Sequence, residues 1–247
     1  MNKDNATDII YGIRSVMEAI HSGKEVDKIL VKKGLTGELV QELFSLLRSK
    51  GIAPQFVPNE KFGVFGSKNH QGVVAYISPV DFQPIEELVA RLWEEGKEPF
   101  LVILDSVTDV RNFGAIVRTA ECAGAHAVVF PAKGSARIGS DAVKTSAGAL
   151  HHMPICRVFS LKTTLSFLKL SGIRVVAATE KSEINYSDTN LKPPIAILLG
   201  SEDGGISESA LKMADELVAI PIKGNVESLN VSVAAGLMMY ESVRQQG

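Results

Sequence analysis

Residues 226–236 read VESLNVSVAAG, placing Ser228, Asn230 and Ser232 at alternate positions where small and apolar residues take on helical spacing. A helix start leaves several N–H groups unpaired and carries the positive end of a dipole, which suits an anion or a polar cofactor. Ser228 or Asn230 can serve as the cap, and three polar residues exceed what capping needs. A second stretch, LLGSEDGGIS over 198–207, ends an apolar run in Gly200 and follows it with Glu202, Gly204 and Gly205. Glycines there permit positive φ and let either a tight turn form or a ligand approach the main chain. A third, DSVTDVRNFGAIVRTAECAG over 105–124, sets Asn112 where it could cap a helix, with Arg118 about two turns further on. Spacing leaves open whether these two are a cap and a surface arginine, or an amide and a guanidinium facing one crevice.

The elements that must position these residues are legible in the apolar runs. After residue 98 they are PFLVILD, AHAVVFP, PICRVF, RVVAATE, PIAILLG and ELVAIPI, most separated by segments of helical period. Unalternating strands between helices imply a parallel sheet covered on both faces, an α/β domain over residues 98–247. In such sheets ligands bind beyond the carboxyl ends of the strands. Upstream, residues 1–78 show helical periodicity over 10–20 and 37–48, while DKILVK and QGVVAYIS read as strands, making a small α/β unit. Between the two, residues 79–97 turn acidic and contain proline. IEELVARLWEEGK can form one amphipathic helix there, and the stretch is expected to be a linker.

Bulk properties narrow the function. The net charge of −2 over 247 residues is not that of a protein that binds nucleic acid mainly by charge, so any nucleic-acid surface is a local patch. No basic apolar leader is present, and no apolar run approaches the roughly 18–20 residues that span a bilayer, so a soluble, cytoplasmic protein without membrane contact is expected. Cys122 and Cys156 lack metal-ligand spacing and read as free thiols, with no metal site. The Asn-x-Ser/Thr triplets at Asn5, Asn185 and Asn230 have no secretory context that would make them glycosylation sites. Neither GxGxxG nor GxxxxGK[ST] occurs, which argues against the usual nucleotide-binding enzymes.

Taken together, Asn112-Phe-Gly-x-x-x-Arg118, Gly200-x-Glu202-x-x-Gly205 and Ile220-Pro-Ile-x-Gly-x-x-x-Ser228-Leu-Asn230 resemble the three ordered motifs of the SpoU (TrmH-like) ribose 2′-O-methyltransferases of the SPOUT superfamily. The resemblance covers essentially the whole chain. YGIRSVMEAI and HQGVVA are similar to the small ribosomal-protein-like (L30e-like) domain that precedes the catalytic domain in the branch acting on a guanosine of large-subunit (23S) rRNA, and KTSAGA matches that branch too. Shorter tRNA-acting relatives generally lack this unit. The resemblance implies a parallel sheet with a trefoil knot, a homodimer packed through the knotted domain, S-adenosylmethionine as cofactor and RNA, not DNA, as substrate. Alternatives are methylation of tRNA, or a non-catalytic RNA-binding factor in ribosome assembly.

Residue by residue, the resemblance places Asn112, Arg118, Glu202, Ser228 and Asn230 in the active-site shell, beside a cofactor site completed by the partner subunit. It puts Gly200, Ile220 and Leu229 on the cofactor, held largely through main-chain groups, with Thr179 also lining the pocket. A guanidinium stays protonated near neutrality and is a poor base. Arg118 is therefore expected to stabilise the developing alkoxide and clamp a phosphate, the proton passing to a phosphate oxygen or water. Asn230 and Ser232 would order the turn that presents Leu229 and Ser228. Candidate phosphate contacts are Lys32, Lys33, Arg111, Lys133, Arg137 and Lys144, each of which reads first as a solvated surface charge, while His70 and Gln71 are either RNA contacts or a structural turn. The chain departs from the family pattern at Ile222, where methionine is common, and at His151-His152.

Overall fold

The computed structural model describes residues 9–136 and 138–247. Contacts divide the chain into two units, one of residues up to Asp81 together with Ile138–Ser140, the other of the remainder from Phe82. Asn5 and Arg137 lie outside the described residues.

The first unit runs β1 (Ile9–Tyr11), α1 (Ile13–His21), β2 (Val26–Lys32), α2 (Glu38–Ser49), β3 (Gln55–Val57), a 3₁₀ turn over Asn59–Phe65 and β4 (Val73–Ile77). Its sheet has the order β1-β4-β2-β3, with β4 antiparallel to β1 and β2 and β3 parallel to β2. The period of two in the strands separates two faces. Ile29, Val31, Val73 and Ala75 pack under α1 and α2, while Leu30 and Val74 meet Val57 and Phe62 on the other side. The helix expected from residue 10 starts at Ile13, because Ile9–Tyr11 pairs with β4 and Gly12, at φ 89°, breaks the chain between them.

Gly12 has no side chain with which to cap α1. Gln71 supplies the cap from a distant turn, its Oε1 accepting from the Ile13 N–H at 3.2 Å. In the same turn His70 Nδ1 accepts from the Gly72 N–H at 2.9 Å, and the His70 ring stacks on Phe62 with centroids 4.8 Å apart. His70 and Gln71 are thus structural members of the turn.

The second unit is built from α3 (Ile85–Glu94), β5 (Phe100–Asp105), α4 (Val110–Cys122), β6 (Ala127–Pro131), α5 (Ser140–Thr145), β7 (Ile155–Val158), α6 (Leu161–Leu170), β8 (Arg174–Ala178), β9 (Ile195–Gly200), α7 (Glu208–Leu211), β10 (Glu216–Val218) and α8 (Val231–Gln246). Its six strands are all parallel, in the order β10-β8-β9-β5-β6-β7, as the unalternating runs imply. Chain order reverses between neighbours β5 and β9: the chain leaves β5 toward β6 on one side and leaves β9 toward β10 on the other.

Two expectations are corrected. Most of the stretch read as a linker is α3, whose Ile85, Leu88, Val89 and Leu92 join the sheet's core with Leu101, Ile103, Cys156 and Leu165. Its acidic composition describes only the exposed face. Burying four such side chains contributes on the order of 1.5–3 kcal/mol each before entropy is counted, far more than a linker would gain. In ELVAIPI only Glu216–Val218 stays in the sheet. Ala219 leaves it to pair with the segment after β8, donating to the Ile184 carbonyl at 2.7 Å and accepting from Tyr186 N–H at 3.0 Å. That departure turns Ile220 and Ile222 toward the carboxyl ends of the strands.

The helix α8 packs on α4 and β9 and is sewn to the segment before β9. Gln245 accepts from the Leu191 N–H and donates to the Thr189 carbonyl, and the Ser242 hydroxyl donates to the Leu191 carbonyl at 2.6 Å. Glu241 binds Arg244 and Gln245 at the same place.

Candidate active site

The three polar loops converge where the sheet order reverses. Asp109, not Asn112, caps α4: its carboxylate accepts from the Arg111 and Asn112 N–H groups at 2.7 and 3.0 Å. With the cap made by Asp109, the Asn112 side chain is free to point elsewhere, and its Nδ2 donates to Glu202 Oε1 at 2.8 Å. Two residues further, Gly114 lies so close to α5 that an added Cβ would stand 2.7 Å from Thr145 Cβ. Phe113 is fully buried beneath it. The Asn-Phe-Gly triplet thus combines a site residue, a core anchor and a close helix contact.

Asn230 caps α8, accepting from the Ser232 N–H at 3.0 Å through its side-chain oxygen. Its amide nitrogen faces the other way and donates to Asn112 Oδ1 at 3.0 Å and to Glu202 Oε1. Glu202 Oε1 also accepts from the Val231 N–H at 3.4 Å. The anion that the helix start suits is therefore the protein's own Glu202 carboxylate, seated at the positive end of α8.

The loop that carries Glu202 is rigidly folded. Ser201 and Gly205 exchange two main-chain hydrogen bonds, 3.1 and 2.9 Å, and the Ser201 hydroxyl accepts from the Gly204 N–H. Buried Asp105, at the end of β5, ties down the far side by accepting from the Ser207 N–H at 2.9 Å. Gly200 is required by its own chain, since a Cβ there would overlap the Gly205 carbonyl and the Ile206 nitrogen.

Beside this cluster, at the carboxyl ends of β8 and β9, lies a cleft of about 320 Å³. Thr179, Gly200, Ile220 and Leu229 line it, as do Glu202 and Ser228. Asn112 and Asn230 stand behind Glu202 and do not form the wall. Thr179 is buried, and its hydroxyl accepts from the Lys181 N–H at 3.3 Å. Apolar side chains from Ala178, Leu199, Ile222 and Ala234 share the wall with the two glycine-bearing loops and with the carboxylates of Glu180, Asp203 and Glu227. The volume and a lining that mixes apolar side chains with polar groups fit a nucleoside-sized ligand.

Arg118 is not brought into the cluster. It is exposed on α4 and has no hydrogen-bond or ion-pair partner among the described residues. Six helical residues separate it from Asn112 by about 9 Å along the axis and about 120° around it, on the stripe shared with Arg111 and Cys122. Lys33, Arg111, Lys133 and Lys144 are exposed and Lys32 is half-buried. Sequence reasoning missed Asp105, Asp109, Glu180, Asp203 and Glu227. Only Asp109, three residues before Asn112, carried a readable signal, the cap spacing. No group of three or more potential metal ligands occurs among the described residues.

Residues 99–240 match the family described as the SpoU rRNA Methylase family. The chain belongs to that family. Residues 9–83 of this SpoU-family chain also match the substrate-binding domain of RNA 2′-O ribose methyltransferases. Both halves thus point to one enzyme class, the RNA 2′-O-ribose methyltransferases. A Bacillus subtilis protein, YacO, named for the TrmH family of tRNA/rRNA methyltransferases, is 33% identical over 97% of this chain and 96% of its own. Among solved structures, the SpoU methyltransferase AviRb of Streptomyces viridochromogenes, in complex with the cofactor AdoMet, is 26% identical with a TM-score of 0.60, covering 96% of this chain and 90% of that one. The A. aeolicus TrmH/SpoU tRNA modifying enzyme is 30% identical with a TM-score of 0.56, covering 66% of this chain and 84% of its own.

Proposed function

We propose that this SpoU-family chain methylates the ribose 2′-hydroxyl of a guanosine in large-subunit rRNA, with S-adenosylmethionine held in the cleft at the ends of β8 and β9. The observation that carries the reading is the hydrogen-bonded cluster of Asn112, Glu202 and Asn230 on the rim of a cleft lined by Thr179, Gly200, Ile220 and Leu229. S-adenosylmethionine supplies an electrophilic methyl group on a sulfonium. The chain's task is then alignment, since holding reactants in near-attack geometry supplies much of the rate. In this reading the main chain at Gly200, Ile220 and Leu229 holds the adenosine. Ser228 faces the ribose side, and the Asn112, Glu202 and Asn230 cluster fixes the two loops that carry these groups.

Arg118 is the cation that stabilises the developing alkoxide and clamps an adjacent phosphate. Its exposure and lack of a partner leave it available for a site shared with a second subunit. The exposed stripe of Val233, Leu237 and Tyr240, at helical spacing on α8 with 50%, 38% and 51% exposure, supports a homodimer packed through this unit. The return of α8 to the segment 189–191 is consistent with the trefoil knot of the superfamily. rRNA is favoured over tRNA because the tRNA modifying relative covers only 66% of this chain, whereas the substrate-binding match occupies residues 9–83. An RNA substrate and two free cysteines suit a cytoplasmic enzyme.

The test is transfer of labelled methyl to protein-free large-subunit rRNA and, separately, to tRNA, mapped by 2′-O-methyl-sensitive primer extension. One stop in rRNA that disappears in Arg118→Ala is expected. Label confined to tRNA would overturn the substrate assignment, and label in neither would favour a binding factor.

A further inference from the structure

The cleft wall carries four carboxylates, Glu180, Glu202, Asp203 and Glu227, and no Lys, Arg or His among the described residues. Lys181 and Lys223 follow lining residues in sequence but are not part of the wall. Glu202 is tied into the cluster, receiving Asn112, Asn230 and the start of α8, while Glu180 accepts only a long 3.5 Å hydrogen bond from the Thr179 hydroxyl. Glu180, Asp203 and Glu227 are exposed around the opening and are not needed to build the cluster. Carboxylates placed around a cleft focus a negative potential into it.

We propose that Glu180, Asp203 and Glu227 form an electrostatic selector that holds the charged sulfonium reactant and releases the uncharged thioether product. This rests on the reading that the cleft binds S-adenosylmethionine. On transfer, the methyl forms a bond to the ribose oxygen, the electron pair of the broken C–S bond stays on sulfur, and the hydroxyl proton leaves. The ligand in the cleft therefore loses one positive charge per turnover, while its adenosine and amino-acid parts are unchanged. Contacts to those parts cannot tell reactant from product, whereas a negative field can. The same field repels RNA phosphates from the cofactor cleft, which fits a phosphate clamp at Arg118 on a separate face of α4.

The experiment is calorimetric titration of the full chain with S-adenosylmethionine, S-adenosylhomocysteine and an amine analogue that carries a positive charge in place of the sulfonium. It is run on the wild type and on E180Q/D203N/E227Q, each at low salt and at 0.5 M salt. The triple variant is expected to weaken the two charged ligands roughly threefold to tenfold at low salt while changing the thioether less than twofold, and high salt should do the same to the wild type. Unaltered thioether binding doubles as the check that the variant is folded. Equal weakening of all three ligands, or no effect of salt on the difference between them, overturns the selector and leaves the cofactor site standing. Failure of the wild type to bind any of the three overturns both readings.

Discussion

Asn112 and Glu202, 90 residues apart, are joined by a 2.8 Å hydrogen bond that spans the two neighbouring strands between which the sheet order reverses. Asn230 closes the arrangement from a third loop while capping α8 with its other atom. Cap and site are therefore two halves of one amide, and they can be separated by substitution.

Asn230→Ser keeps an oxygen able to cap α8 but removes the amide donor to Asn112 and Glu202. Urea unfolding should shift by less than about 1 kcal/mol, because serine is a good cap. Methyl transfer should fall on the order of a hundredfold, as expected when an interaction that positions reacting groups is lost. A variant with both properties near wild type would show that the cluster is only a helix cap.

Gly200→Ala should destabilise the protein by about 2–3 kcal/mol with no ligand present, since the added methyl overlaps the Gly205 carbonyl and the backbone must shift. Denaturant unfolding of the unliganded protein measures this. A glycine retained only for close approach of a ligand would leave that stability unchanged.

In the first unit, Gln71→Ala removes the side-chain acceptor that caps α1 and should cost about 1 kcal/mol in thermal or denaturant unfolding. Binding of S-adenosylmethionine, a property of the other unit, should be unaffected.

Two titrating groups give the acid limb of the chain's pH profile two separate steps. His126 Nδ1 accepts from the Phe100 N–H at 3.0 Å, and burial with nearby Lys97 lowers its pKa from 6.5, so the folded state binds the proton less well than the unfolded one. Stability should be full above pH 6.5 and decline as pH falls below it, and His126→Asn should flatten that step. Glu241 is held down at about 2 by its hydrogen bond to Arg244, with Gln245 assisting against burial, so its share of stability is present above 4.5 and lost as pH falls toward 2. Unfolding midpoints across pH 2–8 separate the two, with Glu241→Gln removing only the acidic step.

Arg118→Lys keeps the charge and loses the planar two-pronged donor, so turnover should drop at least about tenfold while cofactor affinity and oligomeric state hold. Nearly full turnover in this variant would exclude a specific guanidinium clamp.

The strands of the second unit were legible because β5 and β9, covered on both faces, have no polar position to interrupt the run. The helix α3 was readable in IEELVARLWEEGK, but its place in the core was hidden by its own surface, since residues such as Glu86, Glu87 and Glu94 dominate the composition while four apolar residues do the packing. Three-residue β1 and β10 are too short for periodicity to separate from their flanks. Asn112 looked like a cap because it sits near a helix start, but the cap is Asp109, three residues earlier and an equally good cap type. The meeting of Asn112, Glu202 and Asn230 depends on strand order, which hydropathy does not encode, so their association could be read from the family motifs but not from the residues themselves.

Asn112 and Asn230 are separated by 118 residues of chain. At roughly 5–20 residues per second, a ribosome needs on the order of ten seconds to extend the nascent polypeptide from one to the other. For most of that interval β5 has emerged without its neighbour β9, leaving a strand buried on both faces in the finished fold with one edge open, a hazard for wrong pairing. Methyl transfer is correspondingly all-or-none in the history of each molecule: prematurely terminated chains carry the first motif in full and cannot build the site it belongs to.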